Sequence, residues 1–276
     1  MPFAIGLYER QVNRLTPEFE RDSREYMRGA FREANFTKKT GQLRTVPVNK
    51  TIEVERSTAS YDDIREYVRS AEGPFAKMNC ICRKGKDLLG EPCKQTGLRE
   101  NCLTLNVAAQ VMVELGLART ISREEMLALV DEADKEGLVL QPENTKKPLF
   151  VCCCCGCCCG VLEAAKLFPR PADYFSATYL AEISAEDCTH CGTCETRCQM
   201  DAISDGEVIR VDEARCIGCA LCVTTCPSGA MRLKENPRPK VPPDDSRALY
   251  MTMLRERYGP FGVAGIIGRR LLGMKF

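Results

Sequence analysis

Eight cysteines between Cys188 and Cys226 fall into two copies of one pattern, and no other feature of the chain restricts its fold as much. The first copy is Cys188, Cys191, Cys194 and Cys198; the second is Cys216, Cys219, Cys222 and Cys226. Each cysteine of the second copy lies 28 positions after its counterpart. Any fold that contains them must gather thiolates in sets of four. Zinc takes four ligands, so paired Cys-x2-Cys motifs would satisfy it and leave the third cysteine of each run idle. Two complete four-cysteine runs point instead to iron–sulfur cubes, each held by four thiolates.

The spacing C-x2-C-x2-C-x3-C, with Pro227 directly behind its second copy, resembles the two-cluster bacterial ferredoxins over about residues 185–234. In that family three cysteines of each run curl around one [4Fe-4S] cube and the fourth crosses to the other. The resemblance therefore implies one cluster on Cys188, Cys191, Cys194 and Cys226, and another on Cys216, Cys219, Cys222 and Cys198. One position departs from the pattern: the proline expected after the fourth cysteine is Gln199 in the first copy. It shapes a turn and ligates nothing, so the ligand sets stand. The chain's one histidine, His190, sits inside a run whose ligands are already complete and reads as an exposed loop residue.

Eleven of the 19 cysteines lie upstream of these runs. The odd total and an N-terminus without a basic start and long apolar run argue against a secreted disulfide scaffold and for a reducing cytoplasm. A net charge of +1 gives no field for nucleic acid, and no apolar run reaches the ~18 residues of a membrane span. Seven cysteines fill eight positions from Cys152 to Cys159, far more than packing would use. Side chains of an extended segment alternate in direction, so adjacent residues cannot wrap a cube by themselves. The expected site draws on Cys80, Cys82, Cys93 and Cys102 together with Cys152, Cys154, Cys155, Cys157, Cys158 and Cys159, closing one or two additional iron–sulfur clusters.

The Cys-Cys-Gly pairs ending at Gly156 and Gly160 are similar to the motif of heterodisulfide reductase catalytic subunits, whose cysteines are spread over longer spacings. The combination of Cys80-x-Cys82-Arg83, Cys93, Cys102, the cysteine block and a downstream dicluster segment resembles a family of multi-cluster 4Fe-4S proteins from anaerobes, over most of the chain. Members often carry a winged-helix-like segment ahead of the matched part.

The whole reads as an α+β chain: a cysteine-rich α/β N-terminal region, a bacterial-type dicluster ferredoxin domain and a helical tail. Residues 1–75 form an α/β support. A helix capped by Thr16 runs to about Asn35, Val46, Val48, Ile52 and Val54 alternate as one or two strands, and Ser60 caps a helix through Ile64 and Val68. Residues 76–184 bind the further clusters. There Cys93 and Cys102 lie in a loop, helices span Leu103–Leu117 and Ser122–Gly137, a strand covers Leu138–Leu140, and a helix runs from Val161 to Phe168. Residues 185–234 are the ferredoxin domain, and 235–276 a proline-rich tether and a basic amphipathic tail, expected to dock and not to anchor.

No Gly-x-Gly-x-x-Gly turn, phosphate loop or Ser/His/Asp set is present. The expected function is electron transfer between redox partner proteins, with no nucleic acid bound and membrane contact possible only through the tail. The alternatives are a redox enzyme with a substrate-reactive cluster in the Cys152–Cys159 region and a redox- or iron-sensing regulator.

Overall fold

A computed structural model describes residues 16–36, 39–48, 62–204 and 209–271. Thr16 caps the first helix: its hydroxyl accepts the Phe19 N–H at 3.3 Å, and Pro17 takes the first helical position. Helix α1 (Pro17–Tyr26) passes through one π-turn (Met27–Phe31) into α2 (Arg32–Phe36), so the expected helix is present with a bulge centred on Gly29.

Among the described residues no continuous strand follows. Leu43, Arg44 and Val46 make isolated bridges to Glu143, Ser176 and Leu140, and Ile52 and Val54 fall outside the described residues. The reason lies in the backbone. Arg44 and Val46 donate to the Pro142 and Leu140 carbonyls while Thr45, between them, donates to Ser176, so the segment is shared between two neighbours. The buried Arg44 pairs with Asp62 at 2.6 Å, and Asp62 in turn accepts the Thr178 hydroxyl at 2.7 Å. Helix α3 (Ile64–Ser70) is capped by Asp63, whose carboxylate accepts the Arg65 and Glu66 N–H groups; Ser60 lies outside the described residues.

The cysteine-rich region is built on β1 (Phe75–Met78), α4 (Ile81–Leu88), β2 (Cys102–Leu105), α5 (Asn106–Glu114), β3 (Arg119–Ile121), α6 (Arg123–Lys135), β4 (Val139–Pro142), β5 (Phe150–Cys154) and α7 (Gly160–Lys166). The five strands form one antiparallel sheet in the order β3-β1-β2-β5-β4. The helix expected from Leu103 begins only at Asn106, whose φ of 55° breaks the chain between strand and helix. Cys102 to Leu105 are buried throughout, and a short apolar run without alternation reads equally as helix or central strand. Cys80 and Cys82 likewise open a helix. At α6 the cap is as expected: Ser122 accepts the Glu125 N–H at 3.1 Å, and Gly137 turns out of the helix at φ 71°. Leu103, Leu105, Val130, Val139, Val151 and Leu162 are sealed from solvent and form the centre of the core.

The dicluster segment repeats itself in backbone as well as sequence. Strand β6 (Tyr179–Ile183) pairs with β9 (Met231–Glu235), enclosing α8 (Thr193–Arg197), β7 (Ile203–Ser204) paired with β8 (Arg210–Val211), and α9 (Leu221–Thr224). His190, Gly192 and Asp201 have left-handed φ, and so do Gly218, Ala220 and Gly229, each 28 positions later. His190 therefore occupies a backbone position that the second copy gives to glycine. At Gly218 a Cβ would come within 2.0 Å of the Tyr179 carbonyl oxygen, so only glycine fits.

The proline-rich stretch is laid against the protein: Lys146 donates its N–H to the Pro243 carbonyl at 2.8 Å, and Lys240 reaches the Asp173 carbonyl at 2.7 Å. Helix α10 (Ser246–Leu271) buries Leu249, and its Glu256 carboxylate accepts both the Thr40 N–H and hydroxyl, at 3.0 and 2.7 Å. It kinks at Gly259, before Pro260. No helix among the described residues is long and apolar enough to cross a membrane.

Candidate metal centres

All 19 cysteines are free of disulfides, so every sulfur is available as a ligand. In the dicluster segment Cys198, Cys216, Cys219 and Cys222 together bound one small cavity of about 20 Å³. Its remaining wall is mostly apolar, with Ala181, Met200, Ile203 and Leu221. Burial pushes the Cys219 thiol up to about 12 and raises Cys216 and Cys222 as well. Thiolates in so dry a place need positive charge beside them, which a metal supplies. Two backbone donors also favour the charged form: Ala181 N–H on Cys216 Sγ and Ala202 N–H on Cys198 Sγ, each at 3.3 Å.

The other half is more open. Cys194 is buried, with Cys188 and Cys191 as its charged neighbours, and Cys191 is exposed. Hydrogen bonding from Thr193 draws the Cys191 thiol below its ordinary value. The β6–β9 pairing ends at Ile183 opposite Met231, and Ser184 donates to the Ala230 carbonyl at 2.9 Å. That brings the turn after Cys226 alongside the approach to Cys188. His190 is exposed, and it is its backbone N–H that meets Cys188 Sγ, at 3.4 Å.

In the cysteine-rich region the sheet does the gathering. Register places Cys102 opposite Cys152, and strand alternation sets Cys154 on the same face. Cys80 precedes α4, Cys82 lies in its first turn, and Cys159 precedes α7. Their thiols neighbour one another in the order Cys80, Cys82, Cys159, Cys154, Cys152 and Cys102. These six thiols, together with Cys153, Cys155 and Cys158, line a cavity of about 260 Å³.

The remaining four expected ligands form a tighter group at the edge of that cavity, which Cys155 and Cys158 also line. The sulfurs of Cys93, Cys155, Cys157 and Cys158 all lie within 4.8 Å of one another. Cys93 Sγ is 3.6 Å from Cys155 and 3.8 Å from Cys157, and Cys157 Sγ is 3.7 Å from Cys158. The hydrogen bond from Cys158 pulls Cys155 down to about 4, and the same contact pushes Cys158 up. This arrangement is compatible with a metal centre beyond the dicluster segment.

Two further residues belong to these sites. Arg83 is fully buried; it donates to Asn101 Oδ1 at 2.7 Å and the Cys153 carbonyl at 3.0 Å, and its Nε has no hydrogen-bond partner. Burial works against its charge, but the sulfurs of Cys80, Cys155, Cys93 and Cys154 outweigh that and raise its pKa. No carboxylate among the described residues pairs with it. The visible signal was a basic residue on the first turn of a helix that starts with Cys-x-Cys. The second is Gln199. Its side-chain oxygen accepts the Gly156 N–H at 2.7 Å, and its amide donates to Gln95 at 3.2 Å. The departure from proline thus ties the cysteine block to the first cysteine run.

A 4Fe-4S binding domain family matches residues 181–204, and a second 4Fe-4S binding domain family matches residues 208–231. Ferredoxin-1 of Chlorobaculum tepidum is 44% identical over 50 residues, 16% of this chain and 81% of that protein. The indolepyruvate oxidoreductase subunit IorA of Archaeoglobus fulgidus is 42% identical over 48 residues, and the archaeal-type glutamate synthase [NADPH] of Dehalococcoides mccartyi is 30% identical over 67. The chain spans only 8% and 13% of the lengths of those two enzymes.

Proposed function

This chain belongs to the ferredoxin family, and we propose that it carries single electrons between a donor and an acceptor protein, through the two [4Fe-4S] clusters of residues 185–234 and a further cluster in residues 76–184. One observation carries the reading: two four-cysteine runs, duplicated in spacing and in left-handed backbone positions, share one body with a second assembly of buried thiols. When bound, such clusters change charge by one with little rearrangement.

The residues serve that task in distinct ways. The cavity that Cys198 shares with Cys216, Cys219 and Cys222 supports the crossed assignment, which leaves Cys226 for Cys188, Cys191 and Cys194. Backbone N–H groups on Cys198 and Cys216 offset negative charge as an electron arrives. The apolar wall excludes water from one cluster, while exposed Cys191 marks the side on which a partner comes nearest the other. Arg44, Asp62 and Thr178 join three stretches of chain in one buried contact beside these centres. A second reading, chemistry at a substrate-reactive cluster, is favoured by the thiol-lined cavity of about 260 Å³.

The test is purification of the full chain without oxygen, followed by reduction and electron paramagnetic resonance. Signals of reduced [4Fe-4S] clusters, with reoxidation by a ferredoxin-accepting enzyme, are expected. A protein that holds iron but neither accepts nor returns electrons would refute the reading.

A further inference from the structure

The ten upstream cysteines expected to act together divide into four and six, and the distances within the four are short. A tetrahedron of thiolates around one metal, with metal–sulfur bonds of about 2.3 Å, has edges of about 3.8 Å. The separations of 3.6, 3.8 and 3.7 Å match that edge. Ligands at the corners of a cube stand much farther apart, about 6 Å between sulfurs. With all four sulfurs inside 4.8 Å, no cube fits between them. Among the described residues no other set of cysteines is gathered this tightly.

From this geometry we propose that Cys93, Cys155, Cys157 and Cys158 hold a single tetrahedral metal ion, zinc or iron, at a closed tetrathiolate site. The further iron–sulfur cluster then belongs to the cavity, on the six thiols of Cys80, Cys82, Cys102, Cys152, Cys154 and Cys159. That second placement rests on the electron-transfer reading; the single-ion centre does not.

Three observations support it. Cys155 and Cys158 are each 1% exposed, and all four positions are filled by protein sulfur, as in structural sites. Four thiolates around a divalent ion carry a net charge of about −2, and Arg83 supplies an unpaired buried cation beside Cys93 and Cys155. Finally, the same guanidinium neighbours Cys80 and Cys154 of the cavity, so it stands between two anionic centres. Cys93 is brought in from a loop distant in sequence, and the ion would therefore pin that loop to the cysteine block.

The experiment counts iron, zinc and acid-labile sulfide per polypeptide in the full chain, purified without oxygen. Cubes contain iron and sulfide in equal number, so a single-ion centre appears as one metal in excess of sulfide. That excess is expected in the wild type, and the element in excess identifies the ion. Cys157→Ser should abolish the excess and leave sulfide unchanged; Cys102→Ser should lower sulfide and keep the excess. Equal metal and sulfide in the wild type overturns the proposal without any variant having to fold. So does a loss of about four irons with about four sulfides in Cys157→Ser, the signature of a cube. Cluster resonances without the excess would sink this inference and leave electron transfer standing. An excess metal without cluster resonances would do the reverse.

Discussion

In residues 185–234, a run of four cysteines occupies eleven positions, and local backbone turns aim the sulfurs; in residues 76–184, Cys102 meets Cys152 only because β2 pairs with β5. The first arrangement is a property of short spacing, repeated in the left-handed residues of both copies. The second is a property of sheet register, and it needs a folded sheet before the sulfurs converge. The two regions should therefore depend on metal in opposite order. The ferredoxin segment has only two-stranded ladders, whereas the upstream region closes one five-stranded sheet over Leu103, Leu105, Phe150 and Val151, each 1% exposed or less.

The largest effect should come from stripping metal under anaerobic conditions. Metal binding contributes on the order of 10 kcal/mol to folding of small metal domains, so residues 185–234 should lose amide protection completely. Strands β1, β2 and β5 should keep theirs, held by their apolar core. Hydrogen exchange read by mass spectrometry decides it, and equal loss in both regions would break the comparison. Next in size are the crossing variants. Cys226→Ser should remove the cluster shared with Cys188, Cys191 and Cys194, and Cys198→Ser the one shared with Cys216, each at a loss of about four irons. If each instead removed the cluster of its own run, the crossed assignment would be wrong.

Arg83→Met acts on the other region only. Deleting one partner of a buried charge set costs about 3–5 kcal/mol, expected here in urea unfolding of the sheet, with ferredoxin resonances unchanged. An unaltered unfolding midpoint would show that the thiols near Arg83 are neutral. The smallest effect lies at the seam. Arg197 donates to the Asp134 and Lys135 carbonyls at 2.6 and 2.9 Å, capping the C-terminal end of α6. Arg197→Ala should cost about 1 kcal/mol, visible as a small drop in thermal midpoint with full metal content.

What was legible in the sequence follows the same division. The eight dicluster cysteines, the Thr16 and Ser122 caps and the Gly137 stop are local signals, and each carries its geometry within a few residues. Leu103–Leu105 was misread as helix, and Cys102 as loop, because a strand buried on both faces has no alternation to display. Asp63 displaced Ser60 as a cap because both are good N-caps and only the fold says where the helix begins. The division of ten cysteines into four and six was hidden, since it depends on which sulfurs the sheet register and the Cys93 loop bring together. Arg83 was visible as part of a motif, but a charge read from sequence is by default a solvated one.

The contact between Gly156 and Gln199 has a consequence for how this sequence can change over generations. A Cβ at position 156 would come within 2.5 Å of the Gln199 carbonyl oxygen, so the glycine cannot be exchanged while the backbone at 199 stays put. Proline at 199, the residue its duplicate has at Pro227, offers no side-chain acceptor and would orphan the Gly156 N–H, at about 1–3 kcal/mol. The two positions are therefore coupled: a change that restores the proline leaves residue 156 in need of another acceptor. The two halves of the duplication thus differ here because only one of them has the cysteine block to hold.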